Sequence, residues 1–177
     1  AVVKAKDGYK ILSGNQEACL MLDYIFTVRK ELGTMPEKPF VCKSIVSTVM
    51  ADKIAADNGV KMYDVLTGFK FIGEVIKNHE IAGHGTFLLG FEESYGYLKG
   101  TYARDKDAVV ASLLICEMAA YYKTRNMTLI DALDEIFEKY GYFKESVISI
   151  SMDGVDGKER MAAMMSTSFS ISTAKIV

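Results

Sequence analysis

The chain has 177 residues, half of them hydrophobic, and a formal net charge of -2. That suits one large domain, or one domain with pieces of its neighbours, around a sizeable core. The charge leaves no electrostatic footprint for a nucleic-acid or anionic-membrane partner. The longest apolar stretch, residues 108–118 with its neighbours, is broken well short of a membrane span.

In chain order, residues 1–12 read as a hairpin turning at Asp7-Gly8. Lys4, Lys6 and Asp7 interrupt any secretory signal. A lone hairpin is a poor beginning for a domain, so these residues are expected to belong to a neighbouring unit. Ser13-Gly14-Asn15 can cap a helix that runs to Leu32, with Glu17 in its first turn, before Gly33 and Pro36 stop it. Residues 31–39 carry both prolines and form the best candidate linker.

Strand and helix then alternate. Residues 40–46 read as a buried strand, and Ser47 or Thr48 as the cap of a helix ended by Asn58-Gly59. Residues 60–66 read as a second strand, 69–78 as a helix and 86–91 as a third strand. Residues 107–123 predict a long helix. Thr128 with Asp131 marks a capping box on another, ended by Gly141. Such alternation predicts an α/β fold: a three-layer α/β/α sandwich with a small mixed, mainly parallel sheet, plus flanking pieces of neighbouring domains. Beyond it, 145–151 reads as a strand, Asp153-Gly154 and Asp156-Gly157 as turns, 158–165 as a short helix and 166–177 as a strand of a further unit.

Cys19, Cys42 and Cys116 are odd in number and widely spaced, with no Cys-x-x-Cys pair. They read as buried free thiols in a reducing, cytoplasmic compartment. His79 and His84, five apart, read as loop residues rather than a metal pair.

The segment Leu89-Gly90-Phe91-Glu92-Glu93-Ser94-Tyr95-Gly96-Tyr97 sets two carboxylates and a hydroxyl directly after an apolar run. A buried strand emptying into a tight polar loop is where an α/β domain presents ligand contacts, and this donor and acceptor set suits a polyol. The simpler reading of the residues alone is a charged turn, with solvated glutamates and Gly96 supplying a positive φ. Two further strand-to-helix junctions, at 43–48 and 67–70, are polar and can share the same sheet edge. Arg104-Asp105-Lys106-Asp107 adds cations nearby, although taken alone the run reads first as helix capping by Asp105 or Asp107 with solvated neighbours. Lys43, a cation inside an apolar strand, needs an exposed face or a partner.

Phe91-Glu92-Glu93-Ser94-Tyr95-Gly96 resembles the sugar-recognition loop of the α-D-phosphohexomutases, the phosphoglucomutase/phosphomannomutase superfamily. The order of the Thr67-Gly68-Phe69-Lys70 turn, that loop and the Arg104-Asp105-Lys106-Asp107 segment matches as well, as does Ser13-Gly14-Asn15-Gln16. The resemblance implies four domains around one cleft. It implies transfer of a phosphoryl group between the 1- and 6-positions of a glucose or mannose phosphate, through a phosphoserine and a bisphosphorylated sugar. Residues 1–36 would then close the second domain, 37–126 would form the third and 127–177 would lead into the fourth.

By the same resemblance Glu92 and Ser94 contact sugar hydroxyls, Thr67 and Gly68 line the cleft and Arg104 adds substrate-binding charge. Lys106 and Lys43 are its catalytic candidates. The implied Mg2+ and hexose 1,6-bisphosphate activator belong to the full-length enzyme, whose partners are a hexose phosphate and the remaining domains of the same polypeptide. The family's phosphoserine loop, Asp-x-Asp-x-Asp-Arg metal loop and Arg-x-Ser-Gly-Thr phosphate loop do not occur in these residues. The expectation is therefore a catalytically inactive fragment without a metal site of its own. The alternative is a stand-alone sugar-phosphate binding or regulatory module.

Overall fold

The computed structural model of the chain describes residues 1–145 and 151–168. The opening hairpin forms as expected, β1 (Val2–Ala5) pairing antiparallel with β2 (Gly8–Ile11). At α1 (Gly14–Glu31) the Ser13 hydroxyl accepts the Gln16 N–H at 3.2 Å, and the Gln16 side chain accepts the Ser13 N–H at 2.9 Å. This reciprocal box satisfies two donors that the first turn leaves free.

The main sheet follows from β3 (Pro39–Ser44), α2 (Met50–Asp57), β4 (Lys61–Val65), α3 (Phe69–Ala82), β5 (Thr86–Glu92) and β6 (Gly96–Leu98). Its order is β4-β3-β5-β6, with β3 parallel to both neighbours and β6 antiparallel to β5. Two long helices, α4 (Ala108–Thr124) and α5 (Leu129–Tyr140), complete the unit of residues 1–144. α6 (Gly154–Ser168) lies in a separate unit, residues 145–177.

Three layers result. Phe40, Cys42, Phe87 and Leu98 pack on one sheet face with Phe69, Ile72 and Ile76 of α3. Val41, Leu88, Leu89 and Phe91 face a larger cluster made with α1, α2, α4 and α5. A register shift between Phe40 and Val41 pairs them with Phe87 and Leu89, skipping Leu88. That irregularity lets two consecutive leucines enter the same core, which strict alternation forbids. Gly90 lies under α3, where a Cβ would stand 2.8 Å from Ile72 Cγ2. α1, assigned from sequence to a preceding domain, shares the larger cluster with the sheet, as do Val3 and Leu12 of the hairpin region.

Several local expectations are corrected. Neither Ser47 nor Thr48 is the N-cap of α2; that position is Val49, and the Thr48 hydroxyl instead accepts the Met50 N–H at 3.2 Å. α3 runs on to Ala82, so His79 is a helical residue. β6 was not expected. Asp156-Gly157 lies inside α6, where a Cβ on Gly157 would stand 2.6 Å from the Met152 carbonyl oxygen. Cys19 and Cys42 are buried, but Cys116 is exposed on the outer face of α4. The strands expected over 145–151 and 166–177 fall largely outside the described residues.

Candidate functional site

β3, β4 and β5 end together at one sheet edge, and the loops that leave them meet there. Glu92 is the last residue of β5 and is 6% exposed, so the solvated-turn reading fails for it. Its Oε1 accepts the Gly68 N–H at 3.0 Å, across the β4–α3 turn. Gly68 has φ 125°, a conformation open to glycine, and this aims its N–H at the carboxylate. The Lys106 Nζ lies 3.8 Å from Glu92 Oε2 and 3.9 Å from Asp105 Oδ1. Glu92, Gly68 and Lys106, three residues singled out by sequence, thus converge.

Gly96 serves a different purpose from the one expected. The left-handed residue of the loop is Tyr95, at φ 63°. A Cβ on Gly96 would instead stand 3.1 Å from Glu92 Oε2 and 3.2 Å from Lys106 Cδ, so the glycine leaves room for that ion pair. Ser94, between Glu93 and Tyr95, is exposed, as is Thr67.

Arg104 and Lys43 are engaged elsewhere. Arg104 pairs with Glu80 of α3 and donates to the Thr101 carbonyl at 2.6 Å. Gly73 permits this approach, since a Cβ there would meet the Arg104 carbonyl oxygen at 2.8 Å. Lys43 is buried, and its partners are Asp64 of β4 at 2.7 Å and Asp52 of α2 at 3.2 Å. Burial raises the Asp52 pKa and the Lys43 ammonium opposes that shift. The strand cation has the partners that its burial demands.

The sequence reading passed over a second set of contacts behind the loop. Glu93 Oε2 accepts the Ser44 hydroxyl at 2.9 Å and the Ser47 hydroxyl at 3.5 Å, and the two hydroxyls are 2.8 Å apart. The Tyr97 hydroxyl lies 2.9 Å from the Gly14 carbonyl oxygen and 3.2 Å from Glu17 Oε2. Burial raises the Tyr97 pKa, keeping the phenol a donor. The Tyr95 hydroxyl donates to the Leu12 carbonyl at 3.1 Å, and Asn15 Oδ1 accepts the Thr48 N–H at 3.2 Å. The available signal was Ser13-Gly14-Asn15-Gln16, whose glycine is required by contact with the loop rather than by the helix.

Among the described residues, no group of three or more His, Cys, Asp or Glu side chains is arranged to hold a metal ion. His79 Nδ1 donates to the His84 carbonyl at 3.0 Å, and its ring stacks on Phe40 at 4.0 Å. No helix among the described residues is long and apolar enough to cross a membrane.

The family model for the phosphoglucomutase/phosphomannomutase alpha/beta/alpha domain III matches residues 13–140. The chain belongs to this family. A phosphoglucomutase of Staphylococcus aureus (strain bovine RF122 / ET3-1) is 35% identical over 153 residues, covering 86% of this chain and 27% of the relative. The phosphoglucomutase of S. aureus strain MSSA476 gives the same identity and coverage. The chain thus spans about a quarter of the length of these curated relatives. The open form of pp63/parafusin, a Paramecium phosphoglucomutase, superposes with a TM-score of 0.59 at 21% identity, covering 80% of this chain and 23% of that one. That likeness concerns the fold. The phosphoglucomutase/phosphomannomutase domain III fold supplies the sheet edge on which Glu92, Gly68 and Lys106 meet.

Proposed function

We propose that this chain is the sugar-recognition portion of a phosphohexomutase, an enzyme that interconverts hexose 1-phosphate and hexose 6-phosphate for glucose, mannose or both. The observation that carries the reading is Glu92: a buried carboxylate at the sheet edge, fixed through Gly68 and set beside the Lys106 ammonium. A carboxylate held in this way accepts hydrogen bonds from neighbouring ring hydroxyls, and an exposed Ser94 hydroxyl two residues on adds a donor and an acceptor.

Phosphoryl transfer relies chiefly on positioning and on neutralising charge. In this proposal Glu92 and Ser94 orient the sugar, and the Thr67-Gly68 turn shapes the wall. Lys106, 56% exposed at the mouth, supplies positive charge and a transferable proton. Arg104, held by Glu80, adds charge at the rim. Lys43 keeps the ends of β3 and β4 together rather than meeting substrate. A phosphoserine donor, a bisphosphorylated intermediate and magnesium complete the proposed cycle. Cytoplasmic location belongs to the same proposal.

Glu92→Gln and Ser94→Ala in the full-length mutase carrying this domain test the reading. The expected result is a loss of kcat/KM of at least tenfold for each, with an unchanged unfolding midpoint. Unchanged kcat/KM in both variants would overturn it. The 177-residue chain alone is expected to show no conversion of glucose 1-phosphate at saturating magnesium, while glucose 1-phosphate shifts the backbone NMR signals of residues 92–97. Turnover by this chain would contradict the fragment assignment; an absence of shifts with added sugar phosphate would contradict a sugar site that works without the remaining domains.

A further inference from the structure

Glu93 lies between the two residues assigned to the sugar, yet its side chain points to a different part of the fold. Its Oε2 takes the Ser44 hydroxyl at 2.9 Å and approaches the Ser47 hydroxyl at 3.5 Å. Both serines are buried, at 1% and 4% exposure, where a hydroxyl must find a partner. Ser44 closes β3, and Ser47 sits in the loop between β3 and α2. The carboxylate therefore fastens the β5–β6 turn to the neighbouring strand end. The main chain of the same turn is braced from behind, because Gly14 of α1 rests against the Glu93 carbonyl oxygen. The β3–α2 loop is also tied to α1, through the Thr48 N–H and Asn15 Oδ1.

We propose that Glu93 is a positioning residue for sugar recognition: it does not touch substrate, but through Ser44 and Ser47 it holds the turn in the geometry that presents Glu92 and Ser94. The inference rests on the proposed function. Its physical basis is the division of labour along three consecutive residues. Glu92 turns toward Gly68 and Lys106, Glu93 toward Ser44 and Ser47, and Ser94 is left exposed. Several conformations are open to such a turn, and one with a non-glycine residue in left-handed backbone is uncommon unless its surroundings hold it. Here Tyr95 takes φ 63°. A charge-assisted bond to buried hydroxyls selects one, and a preorganised site loses less on binding.

The test uses the full-length mutase with four variants: Glu93→Ala, Glu93→Gln, the double variant Ser44→Ala/Ser47→Ala, and that pair combined with Glu93→Ala. Glu93→Ala is expected to raise KM for hexose phosphate about tenfold, with a smaller fall in kcat. Glu93→Gln, which keeps an acceptor for the two hydroxyls, is expected to restore most of the loss. The serine double variant is expected to reproduce Glu93→Ala, and the combination to cost no more than either alone. Far-UV circular dichroism and the unfolding midpoint check the fold of each variant. Ser44 and Ser47, 2.8 Å apart, can bond each other when the carboxylate is removed, so the alanine variant is expected to fold.

Additive losses from Glu93→Ala and the serine pair would overturn the inference, as would a serine pair with wild-type KM, since Glu93 would then act directly on substrate. A Glu93→Ala variant with unchanged KM and kcat would also overturn it. Glu92→Gln separates this from the broader reading. If Glu92→Gln is impaired and Glu93→Ala is not, only the positioning role fails; if neither is impaired, the sugar-recognition assignment itself fails.

Discussion

At Gly14 the first turn of α1 meets the β5–β6 turn backbone to backbone. A Cβ there would stand 2.0 Å from the Glu93 carbonyl oxygen and 3.0 Å from the Tyr95 nitrogen, all backbone that cannot swing aside. Gly14→Ala is accordingly expected to cost about 1–3 kcal/mol of stability, the usual range for overpacking, although alanine is the better helix former. Urea denaturation would measure it, and a stabilised variant would show that the turn moves freely. Tyr97 works in the same seam. Tyr97→Phe removes a hydroxyl shared by the Gly14 carbonyl and the buried Glu17 carboxylate, for an expected loss of about 1–3 kcal/mol in the same measurement.

At the scale of elements, what could be read from sequence was what local chemistry decides. The Ser13 and Thr128 capping boxes, the Asp7-Gly8 hairpin and the parallel strands all announce themselves within a few residues. The Thr128 hydroxyl accepts the Asp131 N–H at 3.2 Å while Asp131 Oδ2 accepts the Thr128 N–H at 2.8 Å. Thr128→Ala is expected to lose about 1 kcal/mol by thermal or chemical unfolding. β6 was illegible because Gly96-Tyr97-Leu98 has no strand signature of its own. Its pairing with residues 90–92 creates it, and Leu98 fills the α3 core. The turn expected of Asp156-Gly157 is instead part of the first turn of α6. At the candidate site the residue types of Glu92, Gly68 and Lys106 were legible. The inward aim of Glu93 was not, because Ser44 and Ser47 are distant in sequence and only the sheet brings them near. Nor could composition separate the exposed Cys116 from its buried counterparts, since α4 is apolar around most of its circumference, Val109 and Leu113 included.

For the molecule as a whole, burial sets both thiol access and the response to acid. Cys42 is enclosed beneath α3 and its pKa is pushed up to about 12, whereas Cys116 faces solvent. Iodoacetamide on the native chain is expected to label Cys116 alone, with Cys19 and Cys42 reacting only in denaturant; peptide mass spectrometry reads the outcome. Prompt native labelling of Cys42 would contradict this packing. Asp23 gives the pH counterpart. Burial raises its pKa despite Lys139 and the Tyr140 hydroxyl at 3.3 Å. A carboxyl whose folded pKa lies above the unfolded value favours the native state progressively as pH falls through that folded pKa. Asp23→Asn is therefore expected to gain on the parent protein at pH 7 and to lose the advantage by about pH 4. Unfolding midpoints at the two pH values check the sign.

The place of α1 in the larger core bears on how this polypeptide can be dissected. Its Leu22, Ile25 and Phe26 belong to the cluster that also holds Leu89 and Phe91, so the helix serves as a wall of the sheet's larger core rather than a tether leading to it. Scissors applied at the proline-bearing linker, leaving residues 37–144, would strip that wall from the sheet and release Tyr97 and the β5–β6 turn together. An expression product beginning at residue 13 is expected to stay soluble, and one beginning at residue 37 to aggregate.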